Sequence, residues 1–269
     1  MTGDETYVYR QSWEQERARL AGLSAQFDPG TKRHLRTIGV ASGWRCWEVG
    51  AGAGSIAAWL ADEVGETGHV LVTDLDTRFV EELAGDHVQV LRHDLTGDEL
   101  PEGEFDLIHA RAVLEHLPSR ERTLRRLVGR LRPDGVLFLE DVVFGGTHLS
   151  LSLPMISPAA AAGLLSRVQE AVAGAFRSVG ADPEYGMLLP ERLIDAGLQD
   201  VNAELSTLLT RGGTDEAQFY RLSIAELGER LVEHGLLDQV DRQTIDELLN
   251  HEDTRWPSVA MMSAWGRRP

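Results

Sequence analysis

The chain has 269 residues, 42% hydrophobic and 26% charged, an ordinary soluble globular composition for one large domain or a domain with an insertion. A net charge of −17 makes nucleic acid a poor partner, because phosphate contacts need clustered Lys and Arg. The single cysteine, Cys46, excludes a disulfide framework or multi-cysteine metal site and fits the cytoplasm, while no signal-peptide core opens the chain and no apolar run reaches the roughly 18 residues of a membrane span.

Residues 12–26 (SWEQERARLAGLSAQ) predict a helix with Trp13, Leu20 and Leu23 on one side. Asp28-Pro29-Gly30 predicts a turn, with Pro29 opening a second helix that carries Leu35 and Ile38 and stops near Gly39. The only lysine, Lys32, falls in that helix, a poor anchor for pyridoxal phosphate. An alternation follows. RCWEVG, HVLVTDL, HVQVLRHDL, FDLIHAR and GVLFLED read as strands; SIAAWLADEV, TRFVEELAG and SRERTLRRLVGRL read as the helices among them. Pro133-Asp134-Gly135 reads as a turn before the fifth strand. Short apolar strands between helices predict a doubly wound, mostly parallel α/β sheet over residues 40–141. FGGTHLSLSLPMISP reads as a loop, 159–179 as a helix, LLPERLIDAGL as a short helix closed by Gly197, and QDVNAELSTLL as a strand. Residues 214–250 read as helical and PSVAMMSAWG as a final strand, so the helical stretch interrupts two consecutive strands as an inserted cap.

The glycine turn in CWEVGAGAGSIAAWL raises the question of ligand class. A triphosphate loop needs Lys followed by Ser or Thr, and Gly54 is followed by Ser55 and Ile56. A dinucleotide fingerprint fits Gly50 and Gly52 but has a third glycine or alanine where Ser55 stands, a mismatch that is not decisive, and charge is the better discriminator. Glu48, two residues before the turn, would repel a pyrophosphate but favours the cationic sulfonium and ammonium of S-adenosylmethionine, while backbone N–H groups of the turn and helix start take its carboxylate. Asp74 ends the second strand, 20 residues after Gly54, where a carboxylate accepts both ribose hydroxyls. Asp94 ends the third strand and could accept from the adenine amino group, with Leu75 and Leu95 flanking the base. The competing reading makes Asp74 and Asp94 turn or cap residues; the full set with Glu48, Gly50, Gly52 and Gly54 is far more specific than the glycines alone.

With those motifs the sequence resembles the class I S-adenosylmethionine-dependent methyltransferases. EVGAGAG is similar to their first motif, VTDLD to the second, RHDL and FDLIHARAVLEHL to the third and fourth, and LRPDGVLFLED to the fifth. Within the class it resembles small-molecule enzymes related to ubiquinone and menaquinone biosynthesis and natural-product tailoring. The resemblance covers residues 30–141 well and the ends loosely. It implies a Rossmann-like, seven-stranded, mostly parallel sheet whose last strand is antiparallel, with S-adenosylhomocysteine as coproduct. It divides the chain into N-terminal helices at 1–39 closing over the cofactor, a methyltransferase domain at 40–211 and 256–269, and a helical cap at 212–255. It places Gly50, Ala51, Gly52, Asp74, Leu75, Asp94, Leu95, Ala110 and Arg111 around the cofactor, with Tyr9, Trp13 and Arg17 as candidates from the N-terminal helices. Some quinone O-methyltransferases hold a metal with E-x-x-E-H; here Ala112 replaces the first acid before Glu115-His116, so no metal is expected.

Methyl transfer requires alignment and exclusion of water, and a base only when the nucleophile carries a proton. His116 is the candidate general base, with a structural histidine as the equal alternative; Glu140 and Asp141, ending the fifth strand, are further candidates. The expected partner is a small-molecule acceptor methylated at O, N or C, and apolar cap helices that can pair between subunits admit a homodimer. The competing functions are a methyltransferase fold that runs a cyclisation, rearrangement or decarboxylation, a nicotinamide-dependent reductase, and a regulatory binding module.

Overall fold

The computed structural model describes Tyr9 and residues 14–269, apart from the side chains of residues 147 and 149; Trp13 lies outside the described residues. The first helix, α1, runs unbroken over Glu16–Ile38, with Pro29 inside it. The predicted break at Asp28–Gly30 therefore does not occur. Proline removes one helix hydrogen bond, to the carbonyl four residues earlier. Ala25 and Pro29 are both exposed, so that bereft carbonyl can meet water. The buried side of the same turns is pinned by Asp28 and Thr31, which bond to Arg111 and Glu140 on the sheet.

The alternation then follows in order: β1 (Arg45–Val49), α2 (Ser55–Val64), β2 (His69–Asp74), β3 (Val88–Arg92), β4 (Phe105–Arg111), α3 (Arg120–Val128) and β5 (Leu131–Val143). The predicted helix after β2 is two 3-10 turns, Thr77–Phe79 and Glu81–Leu83. The predicted turn at 133–135 lies within β5, with Asp134 at φ 62. The predicted loop beyond β5 contains α4 (Gly146–Ser152), followed by α5 (Ala162–Ser178), α6 (Leu189–Asp195), β6 (Gln199–Ser206) and β7 (Leu209–Arg211). The helical stretch is two helices, α7 (Asp215–Glu233) and α8 (Gln239–Asn250), separated near Gly235 at φ 67. The chain closes with β8 (Arg255–Pro257) and β9 (Ala260–Arg267).

Seven strands form one sheet in the order β3-β2-β1-β4-β5-β9-β6, and β7 pairs with β8 separately. Strands β1 to β5 pair in parallel, and β9 lies antiparallel between β5 and β6, as expected for the last strand. Side chains alternate across the strands, so β1 sends Trp47 to a core shared with Leu124 and Leu127 of α3, and Cys46 to one shared with Leu35 of α1 and Leu60 of α2. Both faces are therefore covered, which is why these strands read as apolar runs.

A third core joins α5, α7 and α8 with Tyr9 and Phe27. Helices α1 and α7 meet closely at Gly22, where a Cβ would stand 2.7 Å from the Phe219 backbone nitrogen. Only glycine lets the two backbones approach this far. The reversal of strand order beside β1 opens a crevice at the C-terminal strand ends, where open α/β sheets take ligands.

Candidate active site

That crevice is a cleft of about 280 Å³ with two ends. One end is lined by the glycine turn, the carboxyl ends of β2 and β3, and Leu20, Leu23 and Ser24 of α1. The other is apolar, lined by Leu165, Val168 and Phe176 of α5, Phe219 and Ile224 of α7, and Trp256 of β8.

The turn needs its glycines. Gly50, Gly52 and Gly54 have φ of 68°, 55° and 82°, and a Cβ on Gly50 would stand 2.4 Å from Val113 Cγ2. Gly50 and Ala51 donate to the Thr73 carbonyl, Gly54 donates to that of Ala51, and Gly52 donates to Asp74 Oδ2 at 2.8 Å. These amides shape the turn, and at the start of α2 Ser55 and Ile56 line the cleft.

Asp74 and Asp94 line the cleft with Leu75 and Leu95. Both are also turn residues. Asp74 Oδ1 accepts from the Asp76 amide, and Asp94 Oδ1 accepts from the Thr96 amide and hydroxyl. The turn reading is thus observed, and it leaves acceptor positions open, because a carboxylate offers about four. Burial lifts the Asp74 carboxyl above its ordinary range despite its backbone donors. The Thr96 bonds outweigh burial and hold Asp94 below it.

Glu48 lines the cleft but is not a free rim charge. It is 3% exposed, and its Oε2 lies 2.7 Å from His109 Nδ1. His109 Nε2 faces Glu140 at 3.3 Å. Burial alone would lower the His109 pKa; the two carboxylates outweigh it and raise it to about 9. A raised imidazole binds more protons folded than unfolded. Its stabilisation is complete below the unfolded value near 6.5 and fades as pH rises through about 9. Urea unfolding at pH 6.5 and 9.5 should show a loss of roughly 3 kcal/mol on that limb, absent in His109→Gln. Equal slopes in both proteins would refute the assignment.

Glu140 and Asp141 fall outside the cleft lining, which corrects their reading as candidate catalytic groups. Glu140 accepts from Thr31 and Ser263 inside the sheet, and Asp141 accepts from the Val113 amide. Both are directed into the core because the strand carries on past the crevice to Val143. Ala110 and Gly54 are also buried outside the lining, whereas Arg111 lines it and bonds Thr31 and Asp28. Tyr9 lines the apolar end, with the Arg19 guanidinium 4.0 Å above its ring.

His116 lines the cleft with its ring 5.1 Å from that of Phe176. Burial, reinforced by Arg19 and Arg120, lowers its pKa to about 3, so it is neutral at any working pH. Its Nε2 lies 3.3 Å from Glu115 Oε1, and Glu115 Oε2 accepts from the Val142 amide. Burial, then the Asp141 charge, raises the Glu115 carboxyl well above its ordinary range, while burial raises Asp141 to about 7. Sequence reasoning weighed Glu115 only as a metal ligand and passed over His109 and the buried Glu16–Arg19 pair, which is joined at 2.7 Å. A lone histidine in the apolar strand FDLIHAR was the one available signal, since a buried imidazole needs partners. Among the described residues no three His, Cys, Asp or Glu side chains group as a metal site, and no helix is long and apolar enough to cross a membrane.

Residues 47–137 match the family model described as "Methyltransferase domain". The chain is 31% identical over 123 residues to the methyltransferase GfsG of Streptomyces halstedii, a match spanning 44% of each chain. It is 25% identical over 193 residues to the methyltransferase str3 of Strobilurus tenacellus, spanning 71% of this chain and 65% of that protein. The matches thus span less than two thirds of these relatives. Its fold is similar to that of YcgJ from Bacillus subtilis, with a TM-score of 0.58 at 13% identity, covering 90% of this chain and 98% of that one. It is also similar to the phosphoethanolamine N-methyltransferase 2 of Haemonchus contortus, solved with phosphomonomethylethanolamine and S-adenosylhomocysteine; the TM-score is 0.56 at 15% identity, covering 90% and 53%.

Proposed function

From a chain that carries a class I S-adenosylmethionine-dependent methyltransferase domain, we infer that the cleft binds S-adenosylmethionine and serves methyl transfer to a small-molecule acceptor of natural-product or quinone-like type. One observation carries this reading: the glycine turn, Asp74 and Asp94 converge on a cleft that continues into an apolar chamber.

The residues present fit the cofactor. Asp74 would accept from its ribose hydroxyls and Asp94 from its adenine amino group, with Leu75 and Leu95 against the base. The α2 N-terminus would face its carboxylate. Asp74, Asp76 and Asp94 give the rim a negative charge that suits a cation and disfavours a pyrophosphate, which counts against a nicotinamide cofactor. Bound there, S-adenosylmethionine would supply an electrophilic methyl group.

The remaining work belongs to the protein. Helices α7 and α8 act as the cap and, with α5 of the methyltransferase domain, exclude water from the acceptor end and offer it apolar surface. Neutral His116 carries a proton on one ring nitrogen and a lone pair on the other, and that lone pair would take the proton of an acceptor hydroxyl as the new bond to carbon forms. An oxygen acquiring a third bond becomes strongly acidic, so a weakly basic imidazole suffices.

Thermal unfolding and calorimetry against S-adenosylmethionine, S-adenosylhomocysteine and NADPH test the reading. At a hundred times Kd the methyl donor should stabilise the protein by about 2.7 kcal/mol. Assays with candidate acceptors should release S-adenosylhomocysteine. Stabilisation by NADPH alone would overturn the proposal, and product formation without S-adenosylhomocysteine would replace methyl transfer by a rearrangement in the same cleft.

A further inference from the structure

His109 sits mid-strand in β4, fully buried beneath the cofactor end and outside the cleft lining. It bridges two strands: Nδ1 meets Glu48 of β1 at 2.7 Å and Nε2 meets Glu140 of β5 at 3.3 Å. The ring of Phe138 lies against it, with centroids 4.9 Å apart. Glu140 Oε2 also accepts from Thr31 Oγ1 of α1 at 2.5 Å, and its other oxygen accepts from Ser263 of β9 at 2.6 Å. Thr31 in turn accepts from Arg111 Nη1 at 2.9 Å, while Arg111 Nη2 donates to Asp28. Ser55, at the start of α2, donates to Asp28 at 3.1 Å. Two polar chains therefore leave the cofactor end, one from Glu48 and one from Ser55. They converge on Thr31 of the helix whose Leu20, Leu23 and Ser24 cover that end.

A packing role alone would not require this arrangement. An apolar residue at 109 would fill the volume, and replacing buried ionic groups by apolar ones is often neutral or stabilising. Here three buried ionisable side chains are retained, each meeting the next. Such a chain holds its members to one geometry, because loss of any one leaves a buried polar group without its partner.

We propose that His109 is a positioning residue that sets the Glu48 carboxylate at the cofactor rim and, through Glu140 and Thr31, couples the rim to the docking of α1 over it. Cofactor affinity then depends on α1 docking, and by linkage the bound cofactor tightens α1. The choice of S-adenosylmethionine as probe rests on the function proposed above; the coupling of rim to helix does not.

The test uses Thr31→Val, which removes the hydroxyl and keeps the shape and the Glu48–His109 contact. Glu140→Gln interrupts the same chain with equal volume. Arg33→Ala, which breaks an exposed pair with Glu204 on the same helix, is the control. Calorimetric Kd for S-adenosylmethionine is measured well below the melting point of every variant. Amide exchange over residues 16–38 is followed with and without it. Both chain variants should bind roughly tenfold more weakly and exchange faster over α1, and the control should match wild type. Variants that melt lower yet keep the wild-type Kd have lost only stability, and that result overturns the proposal. So does an Arg33→Ala loss equal to theirs. A wild-type protein that ignores the methyl donor refutes the functional reading instead; α1 exchange in the free variants then decides the coupling, and wild-type rates would overturn it.

Discussion

Replacing His116 by alanine should slow transfer to a hydroxyl acceptor by roughly a hundred- to ten-thousandfold, the usual yield of general base catalysis, while cofactor affinity stays at the wild-type value. The separation is expected because His116 packs its ring against Phe176 of α5, whereas Asp74 and Asp94 stand at the ends of β2 and β3. An ordinary histidine base loses activity below pH 6.5 as it protonates. His116, lowered to about 3 by burial and by Arg19 and Arg120, stays neutral there, so the wild-type rate should show no acid limb between pH 5 and 7 from this group. Glu115→Gln keeps the volume beside Nε2 and removes the carboxyl's ability to share a proton, so it should slow the same step by less. Single-turnover rates across pH for the three proteins are the measurement. An alanine variant with the wild-type rate would make His116 a packing residue against Phe176 and leave the reaction without a base.

Asp74→Ala should weaken S-adenosylmethionine binding at least roughly a hundredfold. Two hydrogen bonds to a charged acceptor contribute about 3 kcal/mol or more together, and a tenfold change in Kd corresponds to 1.4 kcal/mol. The structure adds a second cause. Asp74 Oδ2 accepts from the Gly52 amide and Oδ1 from that of Asp76, so alanine also frees the glycine turn. Asp76→Ala is the discriminating companion. Asp76 caps the exposed turn at Arg78, so its loss should cost much less. Calorimetry on both variants gives the answer, and a greater loss at Asp76 would overturn the proposed ribose role of Asp74.

Much of the fold was written along the chain. EVGAGAG between a strand and a helix, Asp74 and Asp94 at strand ends, and apolar runs spaced by helices each depend on neighbours within a few residues. Backbone sterics and side-chain periodicity act over that range, so sheet, glycine turn and acidic rim were legible. Local chemistry also misled. Pro29 signals a break, but the bonds of Asp28 and Thr31 to distant strands keep α1 whole. Glu140 and Asp141 resemble rim acids, but strand β5 continues and buries them. Glu48 resembles a bare charge on the rim, whereas His109, 61 residues away, occupies it.

What the sequence by itself determined is therefore the parallel sheet and the class of ligand its edge favours. What only the tertiary structure decided is which buried polar groups meet: Glu48 with His109, His116 with Glu115, Thr31 with Glu140. The physical reason is range. Secondary structure is set by torsions and hydrogen bonds between near neighbours, but the charge state of a buried side chain is set by whatever the folded chain places within a few ångströms of it.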